Sequence, residues 1–113
     1  MADLPFFGHI INGEEVESLN GARFDVVNPW TQEVFAQAAE ASAEDADRAI
    51  AAARKAFDEG PWPRMGRVER AKLIHKLADL MEERADELAT LDSTNMAKPF
   101  AQAKHDVARS VSN

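Results

Sequence analysis

Three histidines, His9, His75 and His105, are the side chains here whose ordinary pKa suits proton transfer near neutrality. They stand far apart in sequence, without HxxxH or a similar spacing, so no zinc site is encoded. His75 precedes Asp79 by four residues in a helical pattern, and an i,i+4 contact on a wet face accounts for it better than catalysis. The adjacent acids Glu82-Glu83 and Asp86-Glu87 read as a solvated helix surface rather than an acid–base pair. Ser93 and Thr94 have no base placed to activate either hydroxyl, and local hydrogen bonding is expected of them. Gly8, Gly13, Gly21, Gly60 and Gly66 compose neither GxGxxG nor a P-loop, so no phosphate cradle is encoded. Trp30 and Trp62 stand beside prolines in turns, where packing is expected rather than ligand binding. Cysteine is absent, which removes disulfides, thiolate metal sites and a thiolate nucleophile. No catalytic constellation emerges.

The elements that would position such residues are more informative. The chain has 113 residues, enough for one small domain. Its net charge of −7 is uneven: residues 1–50 hold ten acids against Arg23 and Arg48, and the remainder is close to balanced. No basic face results, which argues against nucleic acid and against anionic membranes as partners. The start, Met1-Ala2-Asp3-Leu4-Pro5, lacks the features of a signal peptide. No apolar run approaches the roughly 20 residues that span a bilayer. A soluble, cytoplasmic protein is the expectation.

Residues 1–8 read as an extended lead-in, with Phe6 and Phe7 docking on another element. Asn12-Gly13 supplies the two positive-φ residues of a type I′ turn, so His9–Val16 is expected to be a hairpin with Val16 across from Ile10 or Ile11. Ser18-Leu19-Asn20-Gly21 is a second turn cluster. Phe24–Val27 and Val34–Ala38 form a second hairpin, interrupted at Asn28-Pro29 because proline has no N–H for a ladder. At Ser42 the period changes. Ser42-Ala43-Glu44-Asp45 fits a capping box, and Ala46, Ala49, Ile50, Ala53 and Phe57 follow as one helical stripe. Gly60 is expected to end that helix in a left-handed conformation, with Pro61 preventing its resumption.

From Arg67 the helical period returns, with Ile74, Leu77, Ala78, Met81, Ala85 and Leu88 on one face and Lys72, Lys76, Asp79, Glu83 and Glu87 opposite. One long helix or two helices broken near Glu82-Glu83-Arg84 both fit. Pro99 opens a further helix with Phe100, Ala103, Val107 and Val111 as its stripe. That stripe is still running at Ser112-Asn113, and a truncated domain is the expectation.

In wording and order the chain resembles the N-terminal segment of the aldehyde dehydrogenase superfamily. The resemblance runs from His9 to about Val107. Its carriers are Ile11-Asn12-Gly13-Glu14, Val27-Asn28-Pro29-x-Thr31-x-Glu33-Val34 and Ala46-x-Arg48-Ala49-x-x-Ala52-Ala53-Arg54-x-Ala56-Phe57. Pro61-Trp62-x-Arg64-Met65, Glu69-Arg70, Leu77-Ala78-Asp79-Leu80 and Lys98-Pro99 continue it. There are departures. The family usually has Gly where this chain has Gln32, so its second hairpin turn is expected to differ in type, and usually has Gly where Ala97 stands. The family often holds a structural monovalent cation with an acid and backbone carbonyls at positions matching Asn95 and Val26. A neutral Asn95 weakens such a site.

The resemblance implies an α/β fold for the parent. Residues 1–113 would be the N-terminal part of its cofactor-binding domain: two hairpins, then three or four amphipathic helices packed on a Rossmann-like core. It implies oxidation of an aldehyde to a carboxylate with NAD or NADP through a cysteine thiohemiacetal. The cysteine, the water-activating glutamate and the cofactor-binding residues come from later sequence in the family. No catalytic or cofactor-binding residue is assigned to this chain, which is expected to be structural and inactive alone. The partners implied are the rest of the polypeptide, the aldehyde, and further copies in a homodimer or homotetramer. The alternative is a self-contained, non-enzymatic interaction module whose helices pair among themselves.

Overall fold

The computed structural model describes residues 3–112. Met1, Ala2 and Asn113, at the ends of the expected lead-in and last helix, lie outside the described residues. The elements are β1 (Phe6–Phe7), β2 (His9–Ile11), β3 (Glu14–Val16), β4 (Arg23–Val27), β5 (Val34–Ala39), α1 (Ala43–Glu59), a 3₁₀ turn (Trp62–Arg64), α2 (Arg67–Glu83), α3 (Ala85–Met96) and α4 (Phe100–Ser112). Two compact units result: one takes in the chain to Val27 and then Val34–Arg64, the other Asn28–Glu33 and the chain from Met65 onward.

In the first unit both hairpins form. Asn12 and Gly13 take φ of 56° and 79°, and β2 and β3 pair around them. The two-residue loop fixes the register: Ile11 faces Glu14, Ile10 faces Glu15, and Val16 lies across from His9 rather than from either isoleucine. β4 and β5 pair antiparallel from Arg23↔Ala39 to Val27↔Val34, with an irregularity between Val26 and Val27. Phe6-Phe7 docks as a strand. It runs parallel to β5, with Phe6 opposite Gln37, and Pro5 accepts from the Gln37 N–H, which gives the sheet order β1-β5-β4.

The capping box at α1 is present in both directions. Gly60 departs from the expectation, because its backbone is extended (φ −68°, ψ 166°) instead of left-handed. A residue before proline is pushed to the extended region, and Pro61 applies that restriction here. Glycine is still required: its N–H donates to the Ala56 carbonyl at 3.0 Å, and a Cβ would stand 2.2 Å from that oxygen.

In the second unit the long helical pattern breaks once, at Arg84 (φ −107°, ψ 21°), so two helices replace one. α3 ends on Ala97 in a left-handed conformation (φ 56°, ψ 27°). Pro99 stands just before α4, and its carbonyl accepts from the Gln102 and Ala103 N–H groups. The fold is therefore the expected α/β set of two hairpins and, among the described residues, four helices.

Burial is unusual. Among the described residues the buried apolar side chains are Ala36, Ala39, Ala89 and Ala103. Large ones stand outside: Ile50 and Phe57 on α1 are 67 % and 66 % exposed, and Val68, Leu73, Ile74, Leu77 and Leu80 on α2 are also exposed. The amphipathic helices form, but much of their apolar surface has no cover.

Candidate functional site

The best-developed polar cluster joins β2, the 17–21 loop, the end of β5 and the start of α1. Asp45 is its centre and is 2 % exposed. Its carboxylate accepts from Ser42 N–H at 3.0 Å, Ser42 Oγ at 2.8 Å and Leu19 N–H at 3.1 Å, and Arg48 approaches at 3.4 Å. The backbone N–H of Ser42, ahead of the Ser42 hydroxyl and Leu19, holds the Asp45 carboxyl below its ordinary pKa against the opposing effect of burial. Four donors on one carboxylate leave it no capacity to take up a substrate proton. It is a joint.

Beside it, His9 Nε2 lies 3.0 Å from Ser18 Oγ, in the manner of a nucleophile and its base. The proton direction is wrong for that chemistry. Ser18 Oγ also contacts the Glu40 carbonyl, which can only accept, so the single hydroxyl proton goes there. Ser18 must then accept from His9 Nε2–H. A base whose facing nitrogen already carries its proton cannot activate this hydroxyl. The pair was invisible in the sequence because its members lie nine residues apart and meet only through the hairpin.

The other residues singled out for chemistry are accounted for by surface structure. Glu87 forms a bidentate pair with Arg84 at 2.8 and 2.7 Å, and Asp86 meets Lys104 at 2.9 Å. Glu82 and Glu83 are exposed on α2. Ser93 Oγ donates to the Lys98 carbonyl at 2.7 Å, the local bond expected for it. His75 is exposed on α2, and neither a hydrogen bond nor an ion pair joins it to Asp79. Packing does not cover the tryptophans: Trp30 is 66 % exposed and Trp62 is also exposed.

Val26 lies on β4, in the first unit, and Asn95 in the last turn of α3, in the second. Among the described residues no three His, Asp or Glu side chains come together as a metal centre. Among the described residues the glycines lie in separate turns, caps and loops. A groove of about 550 Å³ runs along α1 and is lined by Asn12, Ala52, Lys55, Ala56, Glu59 and Pro61. It holds neither a nucleophile nor a buried acid–base pair.

Two of the departures noted in the sequence coincide with special backbone. Gln32 (φ 60°) and Ala97 (φ 56°) both occupy the left-handed region where glycine is at ease. Gln32 takes that geometry with its amide donating to the Pro29 carbonyl at 2.7 Å.

A model of the aldehyde dehydrogenase family matches residues 16–113. The chain belongs to that family. Aldehyde dehydrogenase 1 of Tanacetum cinerariifolium is 48 % identical over 103 residues, which cover 91 % of this chain and 21 % of that protein. The mitochondrial benzaldehyde dehydrogenase of Antirrhinum majus is 48 % identical over 93 residues, 82 % of this chain and 17 % of its own length. Among solved structures, the NAD⁺ complex of aldehyde dehydrogenase from Bacillus cereus superposes with a TM-score of 0.89 at 45 % identity, covering 93 % of this chain and 22 % of that one. The NAD-dependent aldehyde dehydrogenase of Sinorhizobium meliloti gives 0.87 at 42 % identity, over 93 % of this chain and 21 % of that one. The chain thus spans about a fifth of the length of these curated relatives.

Proposed function

We propose that this chain is the N-terminal part of an NAD(P)-dependent aldehyde dehydrogenase that oxidises an aldehyde to a carboxylate, and that its own role there is structural. The observation that carries the reading is the mismatch of burial. Among the described residues the buried apolar side chains are alanines, while Ile50, Phe57, Leu73, Ile74, Leu77 and Leu80 stand exposed on regular amphipathic helices. Exposed apolar stripes of this extent belong to surfaces that meet another surface. The remaining length of the relatives is the natural source of that surface, with both units forming part of one cofactor-binding domain.

The reading extends to a cytoplasmic location, like that of the similar cytosolic aldehyde dehydrogenase of Elephantulus edwardii, and to a homodimeric or homotetrameric assembly, on the resemblance alone. No described helix is long and apolar enough to cross a membrane. It also carries Val26 and Asn95 as a carbonyl and an amide oxygen offered to a monovalent cation, on the resemblance alone. An amide oxygen holds such an ion less strongly than a carboxylate, so exchanging potassium for choline should leave the melting temperature of the intact protein nearly unchanged. A large drop would contradict that weak-site reading.

Dye binding and hydrogen exchange on the 113-residue chain test the structural role. Bright ANS fluorescence and weak protection along α1 and α2 are expected. A dark dye with strong, uniform protection would favour the self-contained interaction module.

A further inference from the structure

α3 and α4 pack against each other, and among the described residues the fully buried side chains on them are Ala89 and Ala103. Leu88, Val107 and Val111 are half-buried beside them, and α4 also packs on α2, while a buried alanine methyl contributes far less than a buried leucine or phenylalanine. Three ion pairs join the corner and the two helices. Lys98, in the connecting corner, places Nζ 3.0 Å from Asp92 on α3 and 2.6 Å from Asp106 on α4. Lys104 on α4 meets Asp86 on α3 at 2.9 Å. By contrast, Arg54–Asp58 and Arg84–Glu87 each pair residues close in sequence and bridge no helix pair. The corner itself contains the left-handed Ala97, a backbone state that resists closure unless its surroundings hold it.

We propose that the α3–α4 corner is an ionic latch, in which Lys98 and Lys104 hold α4 against α3 and raised ionic strength releases α4 ahead of the other helices. Lys98 is the main bolt, because its side chain is only 23 % exposed and its ammonium is shared by two carboxylates. Lys104 and Asp86 are more exposed and more fully screened. His105 and Arg109 are the remaining basic groups near Asp106 on α4, and neither bridges to α3.

Hydrogen exchange on the intact protein tests this, read at the Gln102 and Ala103 amides, with the first α1 turn as an internal reference. The added salt should be choline chloride, whose bulky cation does not act as a specific ligand. Raising it to about 1 M, where the Debye length is about 3 Å, should speed exchange at the α4 amides about threefold or more and leave α1 unchanged. Lys98→Met should exchange quickly at low salt and lose most of the salt response, and Lys98→Met/Lys104→Met should lose the rest. Asp106→Asn, at a half-exposed position, gives the same test with less risk to folding. Wild-type exchange that ignores salt, or a salt response unchanged in Lys98→Met and Asp106→Asn, would overturn the proposal. So would α4 and α1 opening together at every salt concentration.

Discussion

A left-handed backbone costs an ordinary L-residue about 1–2 kcal/mol, and glycine gives back roughly 0.5–1 kcal/mol of that advantage through unfolded-chain entropy. Ala97→Gly should therefore stabilise the chain by about 0.5–1 kcal/mol, seen as a higher urea midpoint at unchanged slope. Gln32→Gly should come out near zero, because it also removes the Gln32–Pro29 hydrogen bond, a contact of about 1 kcal/mol. At the other end of the chain, Ser42→Ala removes the α1 cap and should cost about 1 kcal/mol. Asp45 adds a pH signature. Its folded pKa lies below the ordinary carboxylate value, so its contribution is complete above that value and disappears as pH falls through the lowered one. Acid unfolding should therefore be steeper in the wild type than in Asp45→Asn. The Ser42–Asp45 box could be read from four consecutive residues. The Leu19 contact could not, because it spans 26 residues and depends on how the loop folds back.

The stripes of α1, α2 and α4 were legible because helical period is a local property. What covers them was not, since a stripe announces a partner without naming it. The structure shows Ile50 and Phe57 uncovered, and this makes a divided prediction. In the 113-residue chain, Phe57→Ala should change stability by no more than about 0.5 kcal/mol, as at an ordinary surface site. In the intact protein the same substitution should cost about 3–5 kcal/mol, as in a core. Equal small effects in both settings would mean that α1 stays solvated. Local rules also met their limits at two strands and a cap. β1 pairs parallel with a strand some thirty positions away, which no short-range pattern encodes. At Gly60 two local rules competed, and the pre-proline restriction overrode the left-handed cap.

For the molecule as a whole, the family is shown, and the proposed place of these residues in it is structural. The order of turns and stripes carried the family from sequence alone. Among the described residues, the His9–Ser18 contact imitates a nucleophile and its base, but its protons and those around Asp45 are committed to holding loops together, in keeping with the proposed structural role. The intact mass of the native gene product, taken together with its aldehyde-dependent reduction of a nicotinamide cofactor, tests the central claim most directly. The account predicts a mass several times the 12.5 kDa of these 113 residues, a cysteine in the added sequence, and aldehyde oxidation. A native product of 12.5 kDa that folds cooperatively and oxidises no aldehyde would contradict it.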